Sequence, residues 1–119
     1  MNDIAKSVAE AAPWRERWQQ GNTRWDLGAP HKLTLELLEL ARSLGRCTAA
    51  GRVYVPGCGR AHDSQVFLGA GCEVVAADFA PEAIAEAARL YGEHPKMTCI
   101  VENVLQVVDI ERERFDIIF

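Results

Sequence analysis

Two glycines separated by one residue, Gly57 and Gly59, follow directly on a β-branched and aromatic run at residues 53–55. Such a run predicts a buried strand, and the glycines let the backbone turn sharply and come close to a ligand. The segment after the turn predicts a helix, whose first N–H groups would point into the same crevice. Strand, glycine turn and helix together are typical of a nucleotide-binding crevice.

An acidic residue at the end of the next predicted strand extends this pattern. Asp78 follows Gly59 by about 20 residues, the spacing at which a carboxylate accepts hydrogen bonds from two ribose hydroxyls. The alternative is that Asp78 is only a turn residue before the helix that Pro81 begins. The third glycine of a dinucleotide fingerprint would fall at His62. The pattern therefore favours a nucleoside ligand without a diphosphate over a nicotinamide cofactor.

Composition limits the classes of protein that the chain can belong to. It has 119 residues, 49% of them hydrophobic and 25% charged, with a net charge of -4. These values predict one globular domain, and the absence of a basic cluster argues against nucleic acid as a partner. No apolar run is long enough for a membrane span or a secretory signal, so we expect a cytoplasmic protein without a membrane partner. The four cysteines are scattered, which predicts reduced thiols and no metal site.

Alternating helices and strands must position the glycine turn and Asp78. Strands are predicted at residues 52–56, 73–77, 97–101 and 115–119. Helices are predicted between them at residues 64–70 and 81–91, with a turn or short helix at 102–109. This alternation predicts an α/β fold, a Rossmann-like parallel sheet with helices on both faces. The last strand begins just before the sequence ends, so we expect a domain truncated after the fourth strand.

Helical segments are also predicted before the first strand. Residues 4–12 form one, and Pro13 is expected to begin a second that places Trp14 and Trp18 on one face. A loop at residues 23–30, here called the Trp25 loop, leads to a helix with a leucine stripe. The stripe consists of Leu33, Leu37, Leu40, Ala41 and Leu44. We expect a helical segment with its loop at residues 1–29 and a cofactor-binding domain at 30–119.

The motifs together resemble a known family. Residues 53–63, VYVPGCGRAHD, and residues 73–83, EVVAADFAPEA, are similar to class I S-adenosylmethionine-dependent methyltransferases. With the amino-terminal Trp-x-x-x-Trp and the Trp-Asp of the Trp25 loop, they most resemble the thiopurine S-methyltransferase family, which includes halide and thiol methyltransferases. The resemblance covers residues 14–119 and implies the strand order 3-2-1-4.

The resemblance implies a role for each matching residue around the glycine turn. Gly57 and Gly59 would line the methionine and ribose parts of S-adenosylmethionine. Asp78 would hold the ribose hydroxyls, and Phe79 would pack near the adenine.

Matching residues outside the turn would complete the cofactor site. Asn103 and Val104, after the third strand, match the position that meets the adenine edge. Trp25 would cover the cofactor. Trp18 would do so as well, or would belong only to the core.

Other residues near the turn either depart from the family pattern or invite a catalytic role. Ala61 stands where glycine is usual, and its methyl would either narrow the turn or need an unfavourable backbone angle. Ala80 lacks the side chain of a helix cap. A nucleophilic Cys58 assisted by His62 and Asp63 is conceivable. We favour structural roles, with Cys58 as a small residue in a crowded turn and Asp63 at the start of its helix.

The implied activity is methyl transfer to a small soft nucleophile, such as a thiol, thiopurine, selenium compound or halide. Such acceptors need little help from a base, so we predict no catalytic residue. The alternatives are a non-catalytic nucleotide-binding module and a nicotinamide-dependent oxidoreductase half-domain. The edge of the fourth strand would be unpaired, which predicts a homodimer through that edge.

Overall fold

A computed structural model describes residues 3–45, 51–103 and 115–119. Within these residues four helices and four strands follow one another, and we number each kind in chain order. They are α1 Asp3–Gln19, α2 Lys32–Ser43, β1 Arg52–Pro56, α3 Ser64–Gly69, β2 Glu73–Asp78, α4 Pro81–Tyr91, β3 Met97–Val101 and β4 Ile117–Ile118. The predicted strands are confirmed, although β4 is shorter than expected. The predicted turn or short helix lies largely outside the described residues.

The strands form one parallel sheet in the order β3-β2-β1-β4. Val53 of β1 pairs with Val74 of β2 on one side and with Ile117 of β4 on the other. The chain thus proceeds outward from β1 to β3 and returns to the opposite side of β1. Ligands of open α/β sheets bind beyond the carboxyl ends of the strands near such a reversal. The predicted fold and strand order are confirmed.

Strand residues alternate between two hydrophobic clusters, one on each face of the sheet. Val53 and Val55 belong to the larger cluster, together with Phe67 of α3 and Leu38 of α2. Tyr54 points to the opposite face, where Val75, Ala77 and Phe115 pack around it. The apolar run of β1 is therefore buried on both faces, as parallel strands usually are.

Helix α1 is continuous, whereas the sequence predicted a break at Pro13. The proline lies inside the helix. The prediction rested on the preference of proline for the first position of a helix, whereas helix-forming residues on both sides compensate here for the one backbone hydrogen bond that proline removes. The consequence is that Trp14 and Trp18 belong to the same rigid element as the alanine-rich start of the chain.

Helix α2 buries a different face from the one that its leucine stripe predicted. Thr34 and Leu38 are buried, whereas Leu33, Leu37, Leu40 and Leu44 are all exposed. Of the predicted stripe, Ala41 packs against the core. Spacing identifies residues that share a face but not which face meets the sheet. The carboxylate of Asp63 accepts hydrogen bonds from the Thr34 hydroxyl and the His31 N–H, each at 2.7 Å. These bonds turn the Thr34 face inward.

No helix in the described part of the chain is both long and apolar enough to cross a lipid bilayer.

Candidate functional site at the glycine turn

The turn after β1 has a backbone that favours glycine. Gly57 and Gly59 adopt φ values of 63° and 55°. A Cβ at Gly59 would lie 3.8 Å from the Trp18 ring, which is an ordinary contact, so the requirement there comes from the backbone angle. Ala61 has a φ of 64° although it carries a side chain. The predicted unfavourable angle at Ala61 is confirmed.

Asp78 joins the end of β2 to the glycine turn. Its Oδ2 accepts a hydrogen bond from the Gly59 N–H at 3.0 Å, and its Oδ1 accepts one from the Ala80 N–H at 3.0 Å. The side chain of Ala80 caps nothing at the start of α4, so Asp78 supplies an acceptor there. A carboxylate has about four acceptor positions, of which these bonds use two. Asp78 is therefore held in place and can still accept further hydrogen bonds.

Three tryptophans gather beside the turn, and we call Trp14, Trp18 and Trp25 the tryptophan cluster. The Trp25 ring lies 5.6 Å from Trp14 and 6.1 Å from Trp18 between centroids, both edge to face. The Arg17 guanidinium lies 5.4 Å from the Trp14 centroid. The Arg60 guanidinium lies 4.7 Å from that of Trp18. Indole faces in this cluster thus already attract cations.

An ion pair fixes α1, and with it two of the tryptophans, over the start of α4. Arg15 Nη2 lies 3.0 Å from Glu82 Oε1, and Gln19 donates to the same oxygen at 3.0 Å. The hydrogen bond from Arg15 lowers the pKa of Glu82.

Asp26 fixes the Trp25 loop to the glycine turn. Its Oδ2 accepts a hydrogen bond from Arg60 Nη1 at 2.8 Å, and its Oδ1 accepts one from the Gly28 N–H at 2.7 Å. Burial opposes ionisation of this carboxyl group. The Arg60 hydrogen bond, the Gly28 N–H and the charges of His62 and Arg60 outweigh burial and lower the pKa of Asp26.

Asn103 lies between the sheet and α1. It is buried, and its Nδ2 donates to Glu10 Oε2 of α1 at 2.7 Å. Val104, the other residue predicted to meet the adenine edge, lies outside the described residues.

These groups surround one cavity of about 570 Å³. Ligand cavities have volumes of about 300–1,000 Å³. Six of the seven predicted site residues line it, namely Trp25, Gly57, Gly59, Asp78, Phe79 and Asn103. Sequence reasoning did not assign Trp14, Asp26, Leu27 or Arg60 to the site, although all line the cavity. The spacing of Trp14 and Trp18 on one helical face could have indicated that Trp14 lies at the site. No local feature of the sequence identified Arg60.

The residues considered for a catalytic role make contacts that indicate structural roles. Burial, assisted by Asp78 and Cys99, raises the pKa of Cys58, so this thiol stays protonated at neutral pH. His62 Nδ1 lies 2.7 Å from the Tyr91 hydroxyl. Asp63 stands at the start of α3, as predicted, but its side chain makes no capping hydrogen bond there and instead binds the start of α2. His31, which also lines the cavity, caps α2 by accepting a hydrogen bond from the Leu33 N–H at 3.1 Å.

Comparison with known proteins identifies the family. The model of the thiopurine S-methyltransferase family matches residues 9–114. The chain belongs to this family. It is 34% identical over 97 residues to thiocyanate methyltransferase 1 of Brassica oleracea, and the match covers 79% of this chain and 41% of the relative. Probable thiol methyltransferase 2 of Arabidopsis thaliana is 32% identical over 82 residues, which cover 69% of this chain and 34% of that protein.

Solved structures agree on the fold. A protein from work on the conversion of a disulfide bond into a thioacetal group during echinomycin biosynthesis superposes with a TM-score of 0.61 and 28% identity, over 79% of this chain and 37% of that one. The Burkholderia thailandensis 1,6-didemethyltoxoflavin-N1-methyltransferase, solved with S-adenosylhomocysteine, gives 0.60 and 23% identity over 90% and 45%. The family and Rossmann-like fold predicted from the sequence are therefore confirmed. The chain spans about two fifths of the length of the first curated relative.

Proposed function

We propose that this chain binds S-adenosylmethionine and serves methyl transfer to a small soft nucleophile, such as a thiol, thiocyanate, thiopurine, selenium compound or halide. The observation that carries the proposal is the convergence of the tryptophan cluster, the glycine turn and Asp78 on one cavity. The relatives are named thiocyanate and thiol methyltransferases, which supports a sulfur or similarly soft acceptor.

The chain's own groups fit an adenosyl sulfonium ligand. Asp78, which is already oriented by two backbone N–H groups, has acceptor positions left for ribose hydroxyls. The glycine turn allows close approach of the ligand, and Phe79 would pack near the adenine. Asn103 and Val104 would meet the adenine edge.

The tryptophan cluster suits the positive charge of a sulfonium. Indole faces attract cations, and the attraction strengthens as water is excluded. Trp25 would cover the ligand from its loop, and Trp18 from α1. Because Trp14 also lines the cavity, all three indoles would form one aromatic wall around the ligand.

The proposed chemistry requires alignment more than acid–base assistance. S-adenosylmethionine supplies an activated methyl group, and its leaving group is a neutral thioether. A thiolate or halide already carries the electron pair that forms the new bond, so the protein needs to hold the two reactants in line and exclude water. The protonated Cys58 agrees with the absence of a catalytic nucleophile in this proposal.

An assay with methyl acceptors tests this function. The purified chain is incubated with S-adenosylmethionine and, separately, thiocyanate, hydrosulfide, iodide and a thiopurine, and both the methylated product and S-adenosylhomocysteine are measured. We expect product with at least one soft acceptor. Tight binding of S-adenosylhomocysteine without turnover on any of them would instead favour a non-catalytic adenosyl-binding module. Binding of NAD alone would favour the oxidoreductase half-domain.

We also propose that two copies associate through the edge of β4. Within the described residues β4 pairs with β1 alone, and Ile118 is 62% exposed. The exposed leucines of α2 add apolar surface to the protein. An unpaired strand edge is a template for another strand. Sedimentation velocity should show a dimer that Ile118→Lys weakens, and a strictly monomeric wild-type protein at high concentration would contradict this proposal.

A further inference from the structure

We propose that Asp26, which is hydrogen-bonded to Arg60 and lies beside His62, is a positioning residue that fixes Trp25 against the adenosyl ligand. We call these three side chains the Asp26 anchor. This inference rests on the proposed function, because it concerns how the same cavity is covered. It adds residues that act on the ligand through Trp25.

The Trp25 loop has little packing of its own. Trp25 is 42% exposed and Leu27 is 67% exposed. The side chain of Asp26, by contrast, is only 9% exposed. Loops with few buried apolar contacts open easily unless specific polar bonds hold them. The position of Trp25 therefore depends on its contacts with Trp14 and Trp18 outside the loop and, within the loop, on the polar bonds of Asp26.

Arg60 connects the loop to three other parts of the site. Besides its bond to Asp26, its Nη1 donates to the Thr23 hydroxyl at 3.1 Å. Its guanidinium also lies 4.7 Å from the Trp18 centroid, and its Nη2 lies 3.9 Å from Glu86 of α4. A planar guanidinium can make these contacts together, which a lysine ammonium cannot. Arg60 thereby ties the loop, α1 and α4 to the glycine turn.

His62 meets the other oxygen of the same carboxylate. Its Nε2 lies 3.2 Å from Asp26 Oδ1, and its Nδ1 faces the Tyr91 hydroxyl of α4. Gln65 of α3 donates to the same hydroxyl, so the imidazole is held beside Asp26 by its other side, without a hydrogen bond from Nε2 to the carboxylate. Arg60, directly after Gly59, thus hydrogen-bonds one oxygen of Asp26, and His62 lies beside the other. The glycine turn that would contact the ligand also orients the residue that would cover it.

A double-mutant cycle separates positioning from a general structural role. Affinity for S-adenosylhomocysteine is measured by calorimetry for wild type, Asp26→Asn, Trp25→Ala and the double variant. Asp26→Asn should weaken binding about tenfold, since a hydrogen bond to a charged group is lost. In the Trp25→Ala background the same change should have less than about a threefold effect, because contacting residues are not additive. Equal effects in both backgrounds would overturn the proposal.

A spectroscopic readout tests the anchor without ligand. The edge-to-face indoles of the tryptophan cluster should give an exciton couplet in circular dichroism. Asp26→Asn should reduce the couplet, and Arg60→Gln should do the same by removing the bond from the other side. Glu73→Gln is the matched control, because it breaks the Arg52–Glu73 pair at the opposite end of the sheet, and it should leave the couplet unchanged.

The outcomes distinguish this inference from the proposed function. If wild type does not bind S-adenosylhomocysteine, the proposed function fails, and the couplet still decides whether the anchor positions Trp25. If wild type binds but Asp26→Asn retains both its affinity and its couplet, the anchor is wrong. Should Asp26→Asn fail to fold, Arg60→Gln takes its place in the same cycle, with the same two results expected.

Discussion

Replacing Asp78 by asparagine should weaken both the fold and ligand binding. In wild type each carboxylate oxygen accepts one backbone N–H, from Gly59 and from Ala80. An asparagine has a single side-chain oxygen, so one of these N–H groups would face an amide that only donates. The buried position of Asp78 prevents water from easily replacing the lost acceptor.

The size of the effect follows from these bonds. A hydrogen bond to a charged group contributes about 1.5–3 kcal/mol, so losing one should lower the free energy of unfolding by about 2–3 kcal/mol. If ribose hydroxyls donate to the same carboxylate, a similar loss per bond weakens S-adenosylhomocysteine binding by about tenfold or more. Urea unfolding measures the first quantity and titration calorimetry the second.

Asp116→Asn is a matched control for this prediction. Asp116 Oδ2 accepts the Arg52 N–H at 2.8 Å at the amino end of β1, away from the cavity. An asparagine there can keep that bond with its carbonyl oxygen, so affinity for S-adenosylhomocysteine should not change. If the wild-type protein binds S-adenosylhomocysteine and Asp78→Asn binds it equally tightly, the reasoning about Asp78 is refuted.

Changes at three further positions test the fold around the site. Ala61→Gly should change the free energy of unfolding by less than about 1 kcal/mol in a urea titration. Relief of the positive φ is offset by the loss of a buried methyl group and by a more flexible unfolded chain. Ala61→Val should clearly lower the free energy of unfolding in the same titration. Glu82→Gln should lower stability by less than about 1 kcal/mol at neutral pH, since its partner Arg15 is partly exposed. Because the pKa of Glu82 is lowered on folding, this contribution exists above the unfolded pKa and disappears as pH falls through the folded one, so the two proteins should converge in acid. Pro13→Ala should raise the thermal midpoint by restoring a hydrogen bond in α1, and an unchanged or lower midpoint would contradict its interior position.

Local signals in the sequence were sufficient for the sheet and the turn. The β-branched runs, the glycines and the position of Asp78 predicted strands, crevice and carboxylate, and Asp78 does bind the Gly59 N–H. These features follow from backbone preferences within a few residues and from the regular geometry of strand, helix and strand. The family resemblance supplied the strand order, which the structure shares.

Contacts between distant side chains were beyond the same reasoning. Asp26 and Arg60 are separated by 34 positions, and their pairing depends on the path of the Trp25 loop. Asp63 binds the start of α2 rather than its own helix, and this choice selects which face of α2 is buried. Helical periodicity predicted a single leucine face, and it could not foresee that the face bonded to Asp63 is the buried one.

Calorimetric titration of the wild-type chain with S-adenosylhomocysteine, and in parallel with NAD, tests the central claim most directly. The cavity formed by the tryptophan cluster, the glycine turn and Asp78 predicts saturable binding of S-adenosylhomocysteine with a stoichiometry of about one per chain and little or no heat from NAD. Binding of NAD without binding of S-adenosylhomocysteine would contradict the claim that this is an adenosyl sulfonium site.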